Sequence, residues 1–412
     1  PPTGGAPVRR PTPYSWTHST MPTGGSAARS RGGAGTPTAE CRVAAAAWAA
    51  AHRTGFRMGV NNALKRVTFA FPALRTLLLS YIISSKHDPD GPGRAALRRA
   101  VERPLLVDVG AAGYGPPEYS DGSDALLLLK RCGVRCEVHG FEMQPGPADA
   151  LEKEAAALLA SPGSDVARAG SSFSVHRLGV GATPALLHAK PLPGGKPKMR
   201  TVTLTPVGAR LRVAKETAPS KQKRAQLSRT VNVTSLDVWA APFDRPLMYL
   251  KVDTNGHEPA ILRGMARLLN SAPPLFLSFE YSDGWSEELA QRNKSTRLTL
   301  SALRVSLRAF VGTLHAAGYH AYLLHSDGLL PMHGGWWDDG YELLLSDDSR
   351  GVYDFFAARA GPPARALETL FFHAPLPCLP ATALSSRPGL SGYDLCTAAT
   401  SSVAKQLELA CV

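Results

Sequence analysis

The stretch Leu105-Leu106-Val107-Asp108-Val109-Gly110-Ala111-Ala112-Gly113-Tyr114-Gly115 decides the fold. Its aliphatic first half reads as a short buried strand, its glycines as a turn. Glycine has no Cβ and accepts positive φ, so such a turn lets a backbone lie close to a neighbour or a ligand. A second strand, Cys136-Glu137-Val138-His139-Gly140-Phe141-Glu142, ends in a carboxylate. A glycine turn after strand one and an acid at the end of strand two are how an open α/β sheet holds the sugar of an adenosine-containing ligand.

The glycine order narrows the ligand. Dinucleotide folds use G-x-G-x-x-G, whereas here the spacing is Gly110-x-x-Gly113-x-Gly115. Asp108 stands two residues before the first glycine and would repel a pyrophosphate while tolerating a cation. A nicotinamide dehydrogenase is therefore disfavoured. A third block, Leu247-Met248-Tyr249-Leu250-Lys251-Val252-Asp253-Thr254-Asn255-Gly256-His257-Glu258, reads as a strand, a polar turn and a helix start with Pro259 in its first turn.

Taken together, Val107-Asp108-Val109-Gly110-Ala111, Phe141-Glu142-Met143-Gln144-Pro145, the Lys251–Glu258 block and Leu262-Arg263-Gly264 resemble the FkbM-type methyltransferase family. Val180-Gly181, Thr234-Ser235-Leu236-Asp237 and Leu275-Phe276-Leu277-Ser278-Phe279-Glu280 extend the resemblance over roughly residues 104–345. It implies a Rossmann-like class I methyltransferase fold, S-adenosyl-L-methionine (SAM) as cofactor, and O-methylation of a small molecule or glycan. Three positions depart from the family pattern: Ala112 replaces an asparagine, Asn255 a glutamate and His257 an alanine. These leave open a catalytically inactive binding or scaffold protein on the same fold.

Each candidate residue has an assigned chemistry. Glu142 accepts hydrogen bonds from the ribose hydroxyls, which a charged acceptor strengthens. Gly110 and Gly113 admit the methionine part, and Asp108 supports that loop or the ligand amino group. Asp253, at the end of the fourth strand, is the candidate base or orienting group for the methyl acceptor, with His257 as the second candidate. Asp253 and Asn255 supply too few oxygen ligands to argue a metal site. Trp336-Trp337-Asp338-Asp339 line the acceptor pocket or form a loop cluster.

Outside these motifs the chain is less informative. Its 412 residues carry a formal charge of +13. Residues 1–40 are rich in Pro, Gly, Ser, Thr and Arg and read as disordered. Residues 41–100 read as an N-terminal helical region, 101–348 as the methyltransferase-like domain, and 349–412 as a partly irregular extension with a short helix at 367–372. Between Lys190 and Arg229 lie eleven Lys or Arg residues and one acid, Glu216. This basic insertion reads as solvated and partly disordered. It has no aromatic residue to stack on bases, so no nucleic-acid partner is expected. No run reaches the roughly 18 apolar residues of a membrane span; the segment 69–84 reads as a helix that caps the sheet or rests on a membrane surface. Six cysteines form no disulfide framework. The sequons at Asn232 and Asn293 place the protein in no compartment. The chain opens on Pro1, so a targeting segment is not excluded.

Strands are expected at 104–109, 136–142, 173–180, 247–253, 274–281, 320–325 and 341–346, and helices at 122–132, 147–160, 258–270 and 298–317. Alternation of the two predicts an α/β fold, a mostly parallel sheet closed by a C-terminal antiparallel hairpin.

Overall fold

A computed structural model of the chain describes residues 42–43, 45–47, 49, 71–84, 92–111, 123–191, 202–206, 229–254, 256–281, 305–325, 328–339, 341 and 353–371. The expectations for 1–40 and 372–412, and those for Ala112, Gly113 and Asn255, lie outside these residues.

The glycine-turn strand is β1 (Leu105–Val109), and every one of its residues is buried. Such burial on both faces is what a parallel sheet with helices above and below requires. It pairs in parallel with β2 (Glu137–Phe141) on one side and β8 (Tyr249–Val252) on the other. β2 pairs with β3 (Ser172–His176), and β8 with β9 (Phe276–Tyr281), all in parallel. From β3 to β9 this is the doubly wound arrangement of a Rossmann-like sheet, with β1 central and the chain reversing its direction of growth beside it.

Beyond β9 the sheet turns mixed. β12 (Tyr353–Arg359) lies antiparallel between β9 and β10 (Tyr319–His325), and β10 pairs antiparallel with the edge strand β11 (Gly328–Pro331). The full order is β11-β10-β12-β9-β8-β1-β2-β3. The antiparallel end lies where the sequence predicts it, but its strands differ. The partner of β10 in the hairpin is β11, which lies between the two strands expected there. Of 341–346, only Tyr341 is described, and it is not a strand residue. The reversed strand next to β9 is β12, so the sheet continues past the expected boundary at 348. Its Phe355-Phe356-Ala357-Ala358 run is buried on both sides, a pattern that by itself does not separate a strand from a helix.

The expected strand 173–180 divides. β3 stays in the main sheet, while β4 (Gly179–Val180) joins a second sheet with β5 (Ala185–Pro191), β6 (Val202–Pro206) and β7 (Arg229–Thr234), in the order β4-β7-β5-β6. The basic insertion therefore begins and ends in strand: Lys190 and Pro191 lie in β5, and Arg229 opens β7.

Helices cover both faces. One core gathers Val107, Val109, Leu250, Val252, Leu277 and Phe279 against Leu236, Ile261, Leu268, Phe310 and Leu314. The other gathers Leu106, Val138, Tyr249, Phe276 and Phe356 against α1 (Phe71–Ser84), α3 (Asp124–Arg131) and α10 (Pro362–Phe371). α1 thus packs on the sheet: Phe71, Leu74, Leu78 and Ile82 are buried there, and Arg365 of α10 lies 5.6 Å over the Tyr81 ring. No described helix is long and apolar enough to cross a membrane. Serines start several helices. Ser123 accepts from the Ala125 N–H, and Ser306 from the Ala309 N–H to open α9 (Leu307–Ala316), each satisfying a donor the helix leaves unpaired. The expected helix 258–270 is two, α7 (Glu258–Arg263) and α8 (Ala266–Ser271). They break at Gly264, where a Cβ would lie 2.0 Å from the Gly181 carbonyl oxygen.

Candidate functional site at the carboxyl edge of the sheet

The parallel strands all end on one edge, where α/β sheets bind ligands. Asp108 and Gly110 lie at the end of β1, Glu142 just after β2, Asp253 just after β8 and Glu280 near the end of β9. Register carries the polar layer across the sheet. Asp108 stands opposite Lys251, Lys251 opposite Ser278, and Glu280 opposite Asp354 of β12.

Lys251 is the hub. Its ammonium lies 2.9 Å from Asp124 Oδ2, 3.1 Å from Asp253 Oδ2 and 3.7 Å from Asp108 Oδ1, and the residue is only 5 % exposed. Asp108 is fully buried. Its Oδ2 accepts from the Ala125 N–H at 3.0 Å, whereas Oδ1 has no hydrogen-bond partner. Burial pushes its carboxyl up to about 6, against the pull of Lys251. Burial also opposes the Lys251 charge, but Asp108, Asp253 and Asp124 outweigh it and hold the ammonium well above the ordinary lysine range. Glu280 and Asp354 are both raised well above the usual carboxylate range, first by burial and then by Asp253. One cation thus faces an excess of acids.

The turn after β1 is held from two sides. The Gly110 and Ala111 N–H groups both donate to the Phe141 carbonyl at 3.0 Å. Gly110 has φ of 87°, and a Cβ there would fall 1.8 Å from the Asp253 carbonyl oxygen. The close approach that Gly110 permits on this side is therefore made by the chain itself. Glu142 is 5 % exposed; its Oε1 accepts from the Gln144 N–H at 2.7 Å, and its own N–H donates to the His176 carbonyl. This shapes the turn into α4 (Pro145–Ala160).

After β8, Glu258 folds back over the turn it follows. Its Oε1 accepts from the Thr254 N–H at 2.7 Å and the Thr254 hydroxyl at 3.0 Å, and its Oε2 from the Gly256 N–H at 2.9 Å. Burial pushes this carboxyl up to about 7. His257 caps α7 without a side-chain cap bond, and burial lowers its pKa. Asp253 keeps about a third of its side chain exposed beside Lys251.

Asp108, Gly110, Glu142 and Asp253 thus share one edge. Sequence reading gave Lys251 no separate role and passed over Asp124 and Asp354. The available signal was a lysine inside the apolar run Tyr249–Val252, since a buried charge must be paired. Trp336 is buried in the core, Trp337 Nε1 donates to Asp339 Oδ1, and Arg308 pairs with Asp339, so this loop forms a cluster of its own. Among the described residues, no group of three or more His, Cys, Asp or Glu side chains is arranged to hold a metal ion.

A second polar array lies on β2 and β3. Arg245 pairs with Glu137, Glu137 Oε1 lies 3.1 Å from His139 Nε2, and His139 Nδ1 lies 2.9 Å from His176 Nε2. Phe141 stacks on His176, and Trp239 meets both edge-on.

No protein-family model matches the sequence, and comparison with curated protein sequences returns no match. Among solved structures, the chain is similar to the methyltransferase FkbM from Methylobacillus flagellatus KT, at 14 % identity and a TM-score of 0.29, over 70 % of this chain and 58 % of that one. It is also similar to the methyltransferase domain of bacterial CtHen1-C, at 11 % identity and a TM-score of 0.29, over 65 % of this chain and 96 % of that one. The chain spans little more than half the length of the first. Strand order and register, rather than these distant superpositions, carry the fold assignment: a Rossmann-like α/β sheet with a reversed strand at its C-terminal end.

Proposed function

We propose that this chain is a SAM-dependent methyltransferase acting on an oxygen of a small molecule or glycan. The observation that carries the reading is the acid excess around Lys251 at the carboxyl edge. Asp108, Asp124 and Asp253 share one ammonium, and Asp108 Oδ1 is buried without a hydrogen bond. That chemistry suits a cationic ligand and opposes a pyrophosphate. The choice of oxygen as acceptor rests on the family resemblance of the motifs.

When bound, the cofactor supplies an activated methyl group on a sulfonium. The chain's own part is to bind, orient and manage a proton. Glu142 would hold the ribose hydroxyls. Gly110, Gly113 and Asp108 would hold the methionine end. Displacement of the methyl is in-line, so alignment of the acceptor supplies much of the rate. Asp253, about a third exposed next to Lys251, would orient the acceptor hydroxyl and take its proton. His257 is the alternative base.

Calorimetry with SAM, S-adenosylhomocysteine and NAD tests the reading. Binding of the first two without the third is expected, and NAD binding alone would overturn it. Glu142→Ala should weaken S-adenosylhomocysteine by about 1.5–3 kcal/mol, the worth of hydrogen bonds to a charged group. Unchanged affinity in a folded variant would remove Glu142 from the ribose site.

A further inference from the structure

Lys251 lies between the two halves of the edge. On one side is Asp108, whose Oδ2 anchors the start of α3 through the Ala125 N–H. On the other is Asp253, the last polar group of the β8 strand end. Asp124, at the start of α3, closes the set at 2.9 Å. Among the described residues, three further carboxyls, Glu280 on β9, Asp354 on β12 and Glu258 on α7, feel the Asp253 charge. Tyr249, one turn of the pleat below, is bonded to Ser278 at 2.6 Å and adds no positive charge. Remove the ammonium, and three neighbouring carboxylates, one of them fully buried, lose their common partner. Burial already raises the Asp108 carboxyl against the pull of Lys251, so without the ammonium Asp108 recovers neutrality by taking up a proton.

We propose that Lys251 is a positioning residue: its ammonium, the common ion-pair partner of Asp108, Asp124 and Asp253, keeps the buried Asp108 ionised and holds the other two in place beside it, so that this edge meets a cationic ligand with negative charge already developed. The identity of that ligand rests on the SAM reading above; the role of Lys251 in holding Asp108 ionised and the acids together does not. Without Lys251 the folded edge carries protons that a cation must first displace, and binding becomes linked to their release.

Two measurements on the full chain test this. The first is urea unfolding of wild type and Lys251→Met from pH 5 to 9. Carboxyls raised in the folded state favour the fold at low pH and cost stability as pH rises through their folded pKa. Lys251→Met should therefore lose stability with rising pH relative to wild type, with a slope equivalent to about one extra proton bound by the folded protein. Lys251→Arg keeps the charge and should follow wild type. A merely structural lysine would give parallel curves, and parallel curves overturn the proposal. If Lys251→Met does not fold, Lys251→Met/Asp124→Asn removes one acid with the base. It should restore the fold and show a smaller excess of bound protons than the single variant would; no excess over wild type is the overturning result.

The second is calorimetry of SAM and of S-adenosylhomocysteine at pH 7.5 in two buffers of different ionisation enthalpy. Lys251→Met should release about one proton more than wild type on binding SAM, and show a smaller excess with S-adenosylhomocysteine, whose sulfur is neutral. Equal proton counts in wild type and variant overturn the proposal. Wild type that binds neither ligand, with the stability slopes as expected, defeats the SAM reading and leaves the role of Lys251 supported.

Discussion

At Gly110 the backbone runs at φ 87°, and a Cβ would sit 1.8 Å from the Asp253 carbonyl oxygen. Strain and overlap act together there, so Gly110→Ala should cost at least about 3 kcal/mol, as severe backbone and packing errors do. Chemical denaturation reads this directly, and a near-wild-type value would mean that the β1 and β8 ends are not in contact. Glu258 differs in kind. Its carboxylate accepts three hydrogen bonds from the turn that carries Asp253 to His257, yet burial raises its pKa to about 7. A carboxyl raised in the folded state favours the fold at low pH, and that advantage is lost as pH rises from about 4.5 to about 7. Glu258→Gln cannot accept from the Gly256 N–H and the Thr254 groups at once, which should cost about 1–3 kcal/mol. It should also flatten the pH dependence of stability in that window. At Asp253, Asp253→Asn keeps shape and loses charge. Once an acceptor is in hand, turnover should fall roughly 10²–10⁴-fold, with SAM affinity changing far less. A dead His257→Ala beside a near-normal Asp253→Asn would move the base to His257.

Among elements, the second sheet is the part that sequence patterning described least well. Among the described strands β6 pairs with β5 alone, and the eight-stranded sheet shares no strand with it. Replacing Lys190–Arg229 by a short Gly/Ser linker removes β6, two residues of β5 and the first of β7. Closing or shortening such a connection changes the chain entropy little. The main sheet should therefore persist by circular dichroism, with S-adenosylhomocysteine affinity within about threefold of the parent. Loss of folding would show that β5 and β6 support the main sheet through β4 and Gly181, which Gly264 approaches closely.

The whole molecule carries histidines that folding keeps neutral. Burial lowers His139, brings His176 down to about 4, and brings His333 down to about 3. A histidine depressed in the folded state stabilises the fold above its unfolded pKa of about 6.5. That contribution is lost as pH falls through the window towards the folded value. Asp108 and Glu258 act in the opposite sense over an overlapping window, so the two effects should offset one another between about pH 6.5 and 4. His176→Phe keeps the stack on Phe141 but removes one titrating group. Its unfolding free energy should decline less between about pH 6.5 and 4 than that of the parent, and an unchanged slope would mean that His176 is equally protonated in both states.

The doubly wound half of the sheet was written locally. An aliphatic strand, a glycine turn, a second strand ending in Glu142 and a third block ending in Asp253 each depend on a few neighbouring residues, and parallel pairing then brings their ends to one edge. Other features depended on residues far apart in the chain. β12 reads as an undifferentiated apolar run, and only pairing with β9 on one side and β10 on the other makes it a strand. Gly110 reads as a position of close approach, and only the register of β1 against β8 shows that on its Cβ side the neighbour is the Asp253 carbonyl. Lys251 reads as an isolated charge, and its meaning comes from carboxylates contributed by β1, α3 and the end of β8. Periodicity and turn chemistry are local and survive in a single sequence; charge pairing and close approach are properties of distance, which only the folded chain defines.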